Sequence, residues 1–364
     1  MPNSRSAWKR AALAAGLAAI AATPLAAVPA QADTTPTEAS VQVLASGLKN
    51  PRGVTALADG TLLVAESGDG SAACAAATLC AGRTGSVYKV RGSFAGRVVT
   101  GLSSLATGPS GPTSVAAGPN KVTTDPHGGY VVLNAFGSNG TTALRTSLGD
   151  DAKDLGTLLR TRDHKVLADL AAHESTANPD GADLNANPWG FVRSGSGYLV
   201  TDAGGNTLVR AAANGTTATD FVVPTNTTPT GVTRQAVPTG IAKAHDGTVY
   251  FTDMSGNVPG ISRIWKVTPG GQPQILATGL SSLSDIAVGP DGNLIALSYT
   301  RGTLAPPMQP GVLTRIDAHT GQATEIPTGT QLNAPTGLAV GPRGEIYVTN
   351  NTLGTNGQLV RVRP

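Results

Sequence analysis

One stretch, residues 238–279, constrains the fold more than any other part of the chain. It carries four strand-like runs in succession, and the turns after the first and third runs are Asp246-Gly247 and Gly270-Gly271. Asp-Gly and Gly-Gly pairs favour tight hairpins, because glycine adopts positive φ without a steric cost. Four short strands of this kind, repeated along a chain, are typical of the blades of a β-propeller.

The same unit can be aligned six times along the chain. In each copy an apolar residue of the third strand is followed two positions later by a base, and a period of two places both on one strand face. We interpret these bases as structural side chains that reach from the strand to solvent or to a neighbouring blade. They are Lys89, Arg160, Arg210, Lys266, Arg315 and Arg361. The first strands are expected to begin at Pro51, Pro112, Pro188, Pro238, Leu283 and Pro335.

The sixth unit lacks a fourth strand, because the chain ends at Pro364. The segment Val41–Leu48 resembles the fourth strand of the reference unit, Gln274–Leu280. The sequence therefore predicts an all-β, six-bladed β-propeller of four-stranded antiparallel blades, closed by the N-terminal strand pairing into the last blade. One domain, 33–364, is expected, with blade cores at 51–102, 112–171, 188–225, 238–280, 283–328 and 335–364 plus 40–48.

The first 32 residues have the pattern of a secretory signal peptide. Three bases precede an Ala/Leu-rich run, and Ala30-Gln31-Ala32 fits a small-residue cleavage site. The apolar run is shorter than the roughly 20 residues that a membrane span needs. We therefore expect a secreted, extracellular protein cleaved after Ala32 and left without a membrane anchor.

Charge and cysteine content narrow the classes of partner and site. The chain has 26 Lys and Arg against 23 Asp and Glu, and removal of the predicted signal peptide would leave it near neutrality. No basic stripe remains to favour nucleic acid as a partner. Cys74 and Cys80 are the two cysteines, and a disulfide is expected between them in an exported protein.

Loop lengths predict which face carries function. The turns between strands 1 and 2 and between strands 3 and 4 are short, whereas long segments fall in the 2–3 loops and the links between blades. These long segments share the opposite face, here called the insert-bearing face, where we expect a small molecule, a glycan or a protein to bind. They are residues 67–84, 135–155, 170–187 and 300–310.

Polar residues end the second strand of every unit, and two interpretations of them stay open. Carboxylates and amides that converge on an axis are suited to a hard cation such as calcium. Alternatively, Asp and Asn at strand ends bond to nearby backbone and start turns. The predicted metal-binding residues are Glu66, Asn134, Asp202, Asp253 and Asn350, and Ser298 completes the ring.

The starts of the first strands offer a second ring, in which Arg52 and Trp189 stand out among Thr and Ser. An arginine and a tryptophan aimed at a central depression could hold an anionic or aromatic ligand. Alternatively, Trp189 packs beneath an insert and Arg52 neutralises Glu66. The predicted ligand-binding residues are Arg52, Asp180, Trp189, Thr239, Asp285 and Thr336. No nucleophile elbow or phosphate-binding loop is present, so catalytic residues are not assigned.

The blade sequences PTGIAKAHDGTVYFTD and APTGLAVGPRGEIYVTN resemble NHL/YWTD-type repeats. Over most of the chain, LKNPRGVTALADGTLLVAESG, NANPWGFVRSGSGYLVTDAGGNTLVR and HESTANPDGADLNANP resemble the bacterial ScyD/ScyE family of secreted propellers. This resemblance implies the fold and export and adds little about a reaction.

The wider six-bladed, TolB-like group includes gluconolactonase- and regucalcin-type enzymes. In those enzymes Glu, Asn and Asp from blade ends hold a divalent cation, and Glu66, Asn134, Asp202 and Asp253 are similar in type and placement. We therefore carry two hypotheses forward. The first is a secreted binding module that uses the insert-bearing face, and the second is a calcium-dependent lactonase or related hydrolase.

Overall fold

Six antiparallel blades of four strands, the first with a short fifth strand added, follow one another along the chain and form a β-propeller, as the sequence predicted. The computed structural model describes residues 38–109, 111 and 115–364, so the predicted signal peptide lies outside the described residues. Within the described part of the chain, no helix is long and apolar enough to cross a membrane.

The blades are numbered in chain order, and each is given from its inner to its outer strand. Blade 1 comprises Pro51–Ala56, Leu62–Glu66, Leu79–Arg91 and Phe94–Thr107, with a short fifth strand, Ala116–Ala117. Blade 2 comprises Pro119–Thr124, Tyr130–Asn134, Thr157–Arg160 and Lys165–Asp169; blade 3 comprises Pro188–Ser194, Gly197–Asp202, Thr207–Ala211 and Thr217–Val222. Blade 4 comprises Pro238–Lys243, Val249–Asp253, Ser262–Val267 and Gln274–Leu280; blade 5 comprises Leu283–Val288, Leu294–Ser298, Val312–Ile316 and Ala323–Ile326. Blade 6 comprises Leu338–Val340, Ile346–Asn350, Gly357–Arg363 and the N-terminal Ser40–Leu48.

The ring closes through the N-terminal strand. Ser40–Leu48 pairs antiparallel with Gly357–Arg363, in a register that runs from Ser40 opposite Arg363 to Leu48 opposite Gly357. The outer strand of the last blade thus comes from the other end of the chain, which confirms the predicted closure. Closure supplies the sixth blade with its fourth strand and joins the two ends of the ring, so that only the short outer edges of the blades remain.

The core consists of apolar layers between adjacent blades. Between blades 2 and 3, for example, Val131, Leu133 and Leu158 pack with Phe191 and Val200. Alternate side chains of each strand point to opposite sheet faces, so every blade supplies one layer on each side.

Glycines allow neighbouring inner strands to approach one another. A Cβ on Gly240 would lie 2.4 Å from the Cα of Asp285, and a Cβ on Gly337 would lie 2.2 Å from the carbonyl oxygen of Arg52. Neither position has the positive φ that favours glycine, so the requirement is one of space.

The third-strand bases have structural contacts, as expected. Arg160, Arg210 and Arg315 form ion pairs with acidic residues of their own blades. Lys266 of blade 4 donates to the carbonyl oxygen of Ala318 in blade 5, 3.0 Å away.

The inner strand of blade 2 begins later than the sequence alignment predicted. The expected start, Pro112-Thr113-Ser114, lies outside the described residues, and the strand itself is Pro119–Thr124, where Pro119 pairs with Asn134. The outer strand of blade 1 is long and pairs with Ala116–Ala117, so this part of the link completes blade 1. Asn120 therefore takes the position in the axial ring that the alignment had given to Thr113.

Long segments on one face carry the remaining short elements. The helices are α1, Thr142–Ser147, and α2, Leu170–Ala177; the 3-10 turns are Asp150–Ala152 and Ser255–Asn257; the hairpin strands are Asn226–Thr227 and Thr233–Arg234. Cys74 and Cys80 form the predicted disulfide, which closes a small loop within the first insert.

Candidate functional site

A cavity of about 250 Å³ opens on the insert-bearing face, at the start of the inner strands of blades 1 to 3. We call it the axial pocket. Its polar wall consists of Arg52, Asn120, Asn187 and Trp189, and its apolar wall of Leu79, Leu105, Val115 and the Ala135–Phe136 segment. A concave, mostly apolar site with a few convergent polar groups is the usual form of a small-molecule site.

Arg52 is the charged group of this wall. Its Nη2 atom donates a hydrogen bond to the carbonyl oxygen of Ala116, 2.8 Å away. No described Asp or Glu lies within ion-pair distance of its guanidinium, whereas most of the other arginines of the described chain are paired. Burial lowers the pKa of Arg52, and nearby Tyr299 partly offsets the effect. Because an arginine stays protonated in proteins even so, the guanidinium is a charged group with unused donors beside a cavity.

Trp189 is held in place from two sides. Its Nε1 donates to the carbonyl oxygen of Ser284, 2.8 Å away in blade 5. Its own carbonyl oxygen accepts a hydrogen bond of 2.6 Å from Nδ2 of Asn120. These bonds fix the indole as a rigid wall of the axial pocket.

An ion pair across the axis forms the floor beneath the pocket. Nζ of Lys121 in blade 2 lies 3.0 Å from Oδ2 of Asp285 in blade 5. Asp285 also accepts from the backbone N–H groups of Ile286 and Leu338, both at 2.9 Å. A cavity of about 10 Å³, the space of one water, lies between this pair and Arg52.

The other predicted ligand-binding residues have different surroundings. Thr239 donates to the carbonyl oxygen of Leu283 at 2.7 Å, and Thr336 donates to that of Pro51 at 3.0 Å, so both tie adjacent inner strands together. Asp180 lies on the 170–187 insert, where it accepts from Nδ2 of Asn206 at 2.8 Å. Arg52 and Trp189 are thus brought together in the axial pocket, Asp285 and Thr336 lie below it, and Thr239 and Asp180 do not line it.

Glu66, the first member of the predicted metal ring, is fully buried with both oxygens occupied. Oε1 accepts from the N–H of Lys49 and from Nη2 of Arg97, and Oε2 accepts from Oγ of Ser86 and from Nε of Arg97, at 2.6–2.8 Å. The counterion of Glu66 is therefore Arg97 on the outer strand, and the alternative in which Arg52 neutralises Glu66 is wrong.

Asp253 has the same kind of surroundings. Its Oδ2 accepts from Nε of Arg263 at 2.8 Å and Nε1 of Trp265 at 2.7 Å, and its Oδ1 accepts from Oγ of Ser255. Burial raises the pKa of Asp253, and Arg263, Ser255 and Trp265 act in the opposite direction.

The remaining ring members bond locally or lie deep in their blades. Oδ1 of Asn350 accepts from the N–H of Asn333 at 2.7 Å, and Asp202 accepts three N–H groups of nearby backbone. Asn134 is fully buried and donates only a long bond of 3.5 Å to the carbonyl oxygen of Thr157. Ser298 is buried as well.

These contacts do not fit the predicted calcium ring. A calcium ion takes six to eight oxygen ligands, and the carboxylates of Glu66 and Asp253 are already bonded to arginines within their own blades. In the described ranges, no group of three or more His, Cys, Asp or Glu is placed to hold a metal ion. We derive no metal-dependent step from this ring.

The sequence alignment missed Asn120 and Lys121, although a signal for them was present. Pro119 lies eight residues before the turn at His127, the same spacing that separates Pro51 from Asp59 and Pro238 from Asp246. This spacing identifies the correct start of the strand.

A larger cavity, about 680 Å³, opens at the other end of the axis and is lined by the far halves of all six inner strands. Lys121, its least exposed cation, is paired with Asp285, and its other cations, Arg193 and Lys243, are exposed to solvent. Arg193 stacks over the ring of Tyr198, and Nζ of Lys243 lies 3.4 Å from the carbonyl oxygen of Arg193. We therefore regard the smaller axial pocket as the better candidate site.

Comparison with known proteins adds support for the fold. No protein-family model and no curated protein matches the sequence. Among solved structures, the chain is similar to a protein of unknown function from Bacteroides thetaiotaomicron, with a TM-score of 0.53, 11% identity and coverage of 90% of this chain and 72% of that one. It is also similar to XC5397, a gluconolactonase from Xanthomonas campestris, with a TM-score of 0.51, 14% identity and coverage of 89% of both chains. Virginiamycin B lyase from Staphylococcus aureus gives a TM-score of 0.48 at 16% identity, covering 90% of this chain and all of that one.

At these identities the similarity concerns the fold alone. The two neighbours with TM-scores above 0.5 support the propeller fold, and the assignment to the ScyD/ScyE family stays a prediction.

Proposed function

We propose that this chain is a secreted propeller of the ScyD/ScyE type that binds a small organic anion in the axial pocket. The observation that carries the proposal is Arg52, a guanidinium beside a cavity with no carboxylate partner among the described residues. Arg52 is half-buried, and a half-buried charge that faces a cavity without a carboxylate partner indicates a ligand of opposite charge.

The chemistry of the walls narrows the ligand further. The planar fork of a guanidinium matches a carboxylate bidentately. The indole of Trp189 and the apolar side of the pocket suit a compact, flat or weakly polar body. A cavity of about 250 Å³ admits a molecule the size of a single ring with its substituents.

The test is calorimetric titration with a panel of carboxylates and neutral counterparts, namely benzoate, phenylacetate and gluconate against benzamide and glucose. We expect at least one carboxylate to bind in preference to its neutral counterpart, and Arg52→Met to weaken that binding by about 10- to 100-fold, because a hydrogen-bonded charge pair contributes about 1.5–3 kcal/mol.

Arg193→Met is the matched control, since Arg193 also lies on an inner strand but at the other end of the axis. Failure of every carboxylate to bind, or unchanged binding by Arg52→Met, would refute the proposal. Export is checked separately by sequencing the N-terminus of protein recovered from the medium, which we expect to begin at Asp33.

The calcium-dependent lactonase is the weaker alternative. It required free oxygens on Glu66 and Asp253, and both carboxylates are bonded to arginines. A lactone hydrolysed by the purified protein, at a rate abolished by chelator and by Glu66→Gln, would favour this alternative.

A further inference from the structure

The 170–187 insert meets blade 3 at two buried carboxylates. Helix α2 carries Glu174, which is 1% exposed, and the second strand of blade 3 ends at Asp202, which is 2% exposed. Gly205 lies between them: a Cβ there would sit 2.5 Å from Oε2 of Glu174 and 3.6 Å from Cγ of Asp202. Oε2 of Glu174 and Cγ of Asp202 are therefore no more than about 6 Å apart. Gly205 lacks a positive φ, so glycine is required there for space.

Three oxygens at this junction have no hydrogen-bond donor among the described residues. Oδ1 of Asp202 accepts from the N–H groups of Asn187, Gly204 and Gly205, but nothing donates to its Oδ2. Oε1 of Glu174 accepts a long bond of 3.4 Å from the N–H of Asn185, and its Oε2 accepts none.

The third oxygen belongs to Thr207. This residue is 1% exposed, and its Oγ1 has no partner. Thr207 lies directly opposite Asp202 in the antiparallel pair, so both side chains project from the same face of the hairpin. Leaving a buried hydroxyl without a partner destabilises the folded state, so this arrangement is unfavourable unless something binds the oxygen.

The charges at the junction are also uncompensated. Neither Glu174 nor Asp202 forms an ion pair with a base of the described chain. Burial raises the pKa of Glu174, and burial together with the nearby Glu174 raises that of Asp202 to about 7. Two neighbouring carboxylates in a buried site need either a shared proton or a cation.

We propose that Asp202, Glu174 and Thr207 form a calcium site that fastens the 170–187 insert to blade 3. Two carboxylates and a hydroxyl are hard oxygen donors, and calcium accepts an irregular set of six to eight such ligands, which water can complete. The site lies on the insert side of blade 3 and shares only Asp202 with the predicted ring, because Glu174 and Thr207 were not members of that ring.

The site also borders the axial pocket. Asn187 donates its N–H to Asp202 and also lines that pocket. A bound cation would therefore hold one wall of the axial pocket in place. The calcium site does not depend on the proposed anion binding, because Arg52 takes no part in it.

The test is calorimetric and thermal titration of chelator-stripped protein with CaCl₂ at pH 7.5. We expect one ion per chain with a dissociation constant below about 1 mM, together with a saturable rise in melting temperature. Thr207→Val, which keeps the shape and removes the hydroxyl, should weaken binding by about 5- to 10-fold. Glu174→Gln should abolish binding up to about 10 mM.

Asp163→Asn serves as the control, because Asp163 is exposed and pairs only with Arg160; it should bind calcium as the wild type does. The proposal fails if the wild type shows no saturable binding, or if Thr207→Val and Glu174→Gln both bind as tightly as the wild type. If the wild type does not bind calcium and Glu174→Gln is more stable than the chelator-stripped wild type, the two carboxylates share a proton instead. That result would also overturn the proposal.

Discussion

The ion pair between Glu66 and Arg97 should be among the most costly contacts to break in this propeller. Glu66 is fully buried, and Arg97 donates from Nε and Nη2 to its two oxygens at 2.8 and 2.7 Å. Arg97→Met keeps the aliphatic stem and removes both donors, which leaves a buried carboxylate without its counterion. Such a change costs about 3–5 kcal/mol for a fully buried pair. Because the Arg97 side chain is 36% exposed, we discount this to about 2–4 kcal/mol.

Urea denaturation followed by tryptophan fluorescence measures the cost, and a double-mutant cycle isolates the pair. Glu66→Gln alone removes the charge and leaves Arg97 able to reach solvent, so it should cost less than Arg97→Met. The double variant should be more stable than the sum of the single changes predicts, with a coupling free energy above about 1.5 kcal/mol. A cost below about 1 kcal/mol for Arg97→Met, or a coupling near zero, would refute the reasoning and reopen Glu66 as a free ligand.

Two further predictions concern the inner strands and the buried acid of blade 3. Gly240→Ala should destabilise the protein by more than about 3 kcal/mol in urea denaturation, because its Cβ would meet the backbone of Asp285 at 2.4 Å. The control, Gly96→Ala, should be nearly neutral, because its Cβ would have its first neighbour at 3.5 Å. Equal losses of stability in the two variants would contradict the argument that glycine is needed at position 240 for space. In chelator, the stability of the wild type should fall as pH rises from about 4 through about 7, because the folded state holds the Asp202 proton above the ordinary pKa of 3.8. In Asp202→Asn, this pH-dependent loss in the free energy of unfolding should be smaller by up to about 4 kcal/mol. If the variant and the wild type lose the same stability over this pH range, Asp202 titrates normally and the argument is wrong.

Most of the fold could be predicted from the repeated unit, because turn glycines and strand periodicity are visible within short stretches of sequence. In blade 4 the predicted runs and the observed strands agree closely, and the N-terminal strand pairs where the match between Val41–Leu48 and Gln274–Leu280 placed it. The start of blade 2 was predicted wrongly because the link between blades 1 and 2 contains a fifth strand of blade 1. No local sequence pattern indicates this pairing.

The candidate site was harder to predict, because the decisive facts are pairings between distant residues. Glu66 meets Arg97 through hydrogen bonds that cross from the second strand to the outer strand of the blade. Its position at a strand end marked it as polar and buried but did not indicate its partner. Thr207 went unnoticed for a related reason, since a hydroxyl becomes informative only when the structure shows that nothing bonds to it.

In this propeller, a charged side chain that is paired within its own blade has a structural role, whereas one left without a partner of opposite charge is a candidate binding residue. A charged residue at the end of a second strand would be costly to bury alone. Blade 1 offsets this cost with Arg97 of its fourth strand, and blade 4 does so with Arg263 of its third strand. Arg52 differs from Arg97 and Arg263 in this respect, because the described blades supply it with a carbonyl oxygen and no carboxylate. If charge balance governs the interior, the missing negative charge at Arg52 and the missing positive charge between Glu174 and Asp202 both have to come from outside the chain. The two sites differ in sign and share Asn187 at their boundary, so an anion in the axial pocket and a cation beneath the insert would each stabilise the wall that the other one contacts.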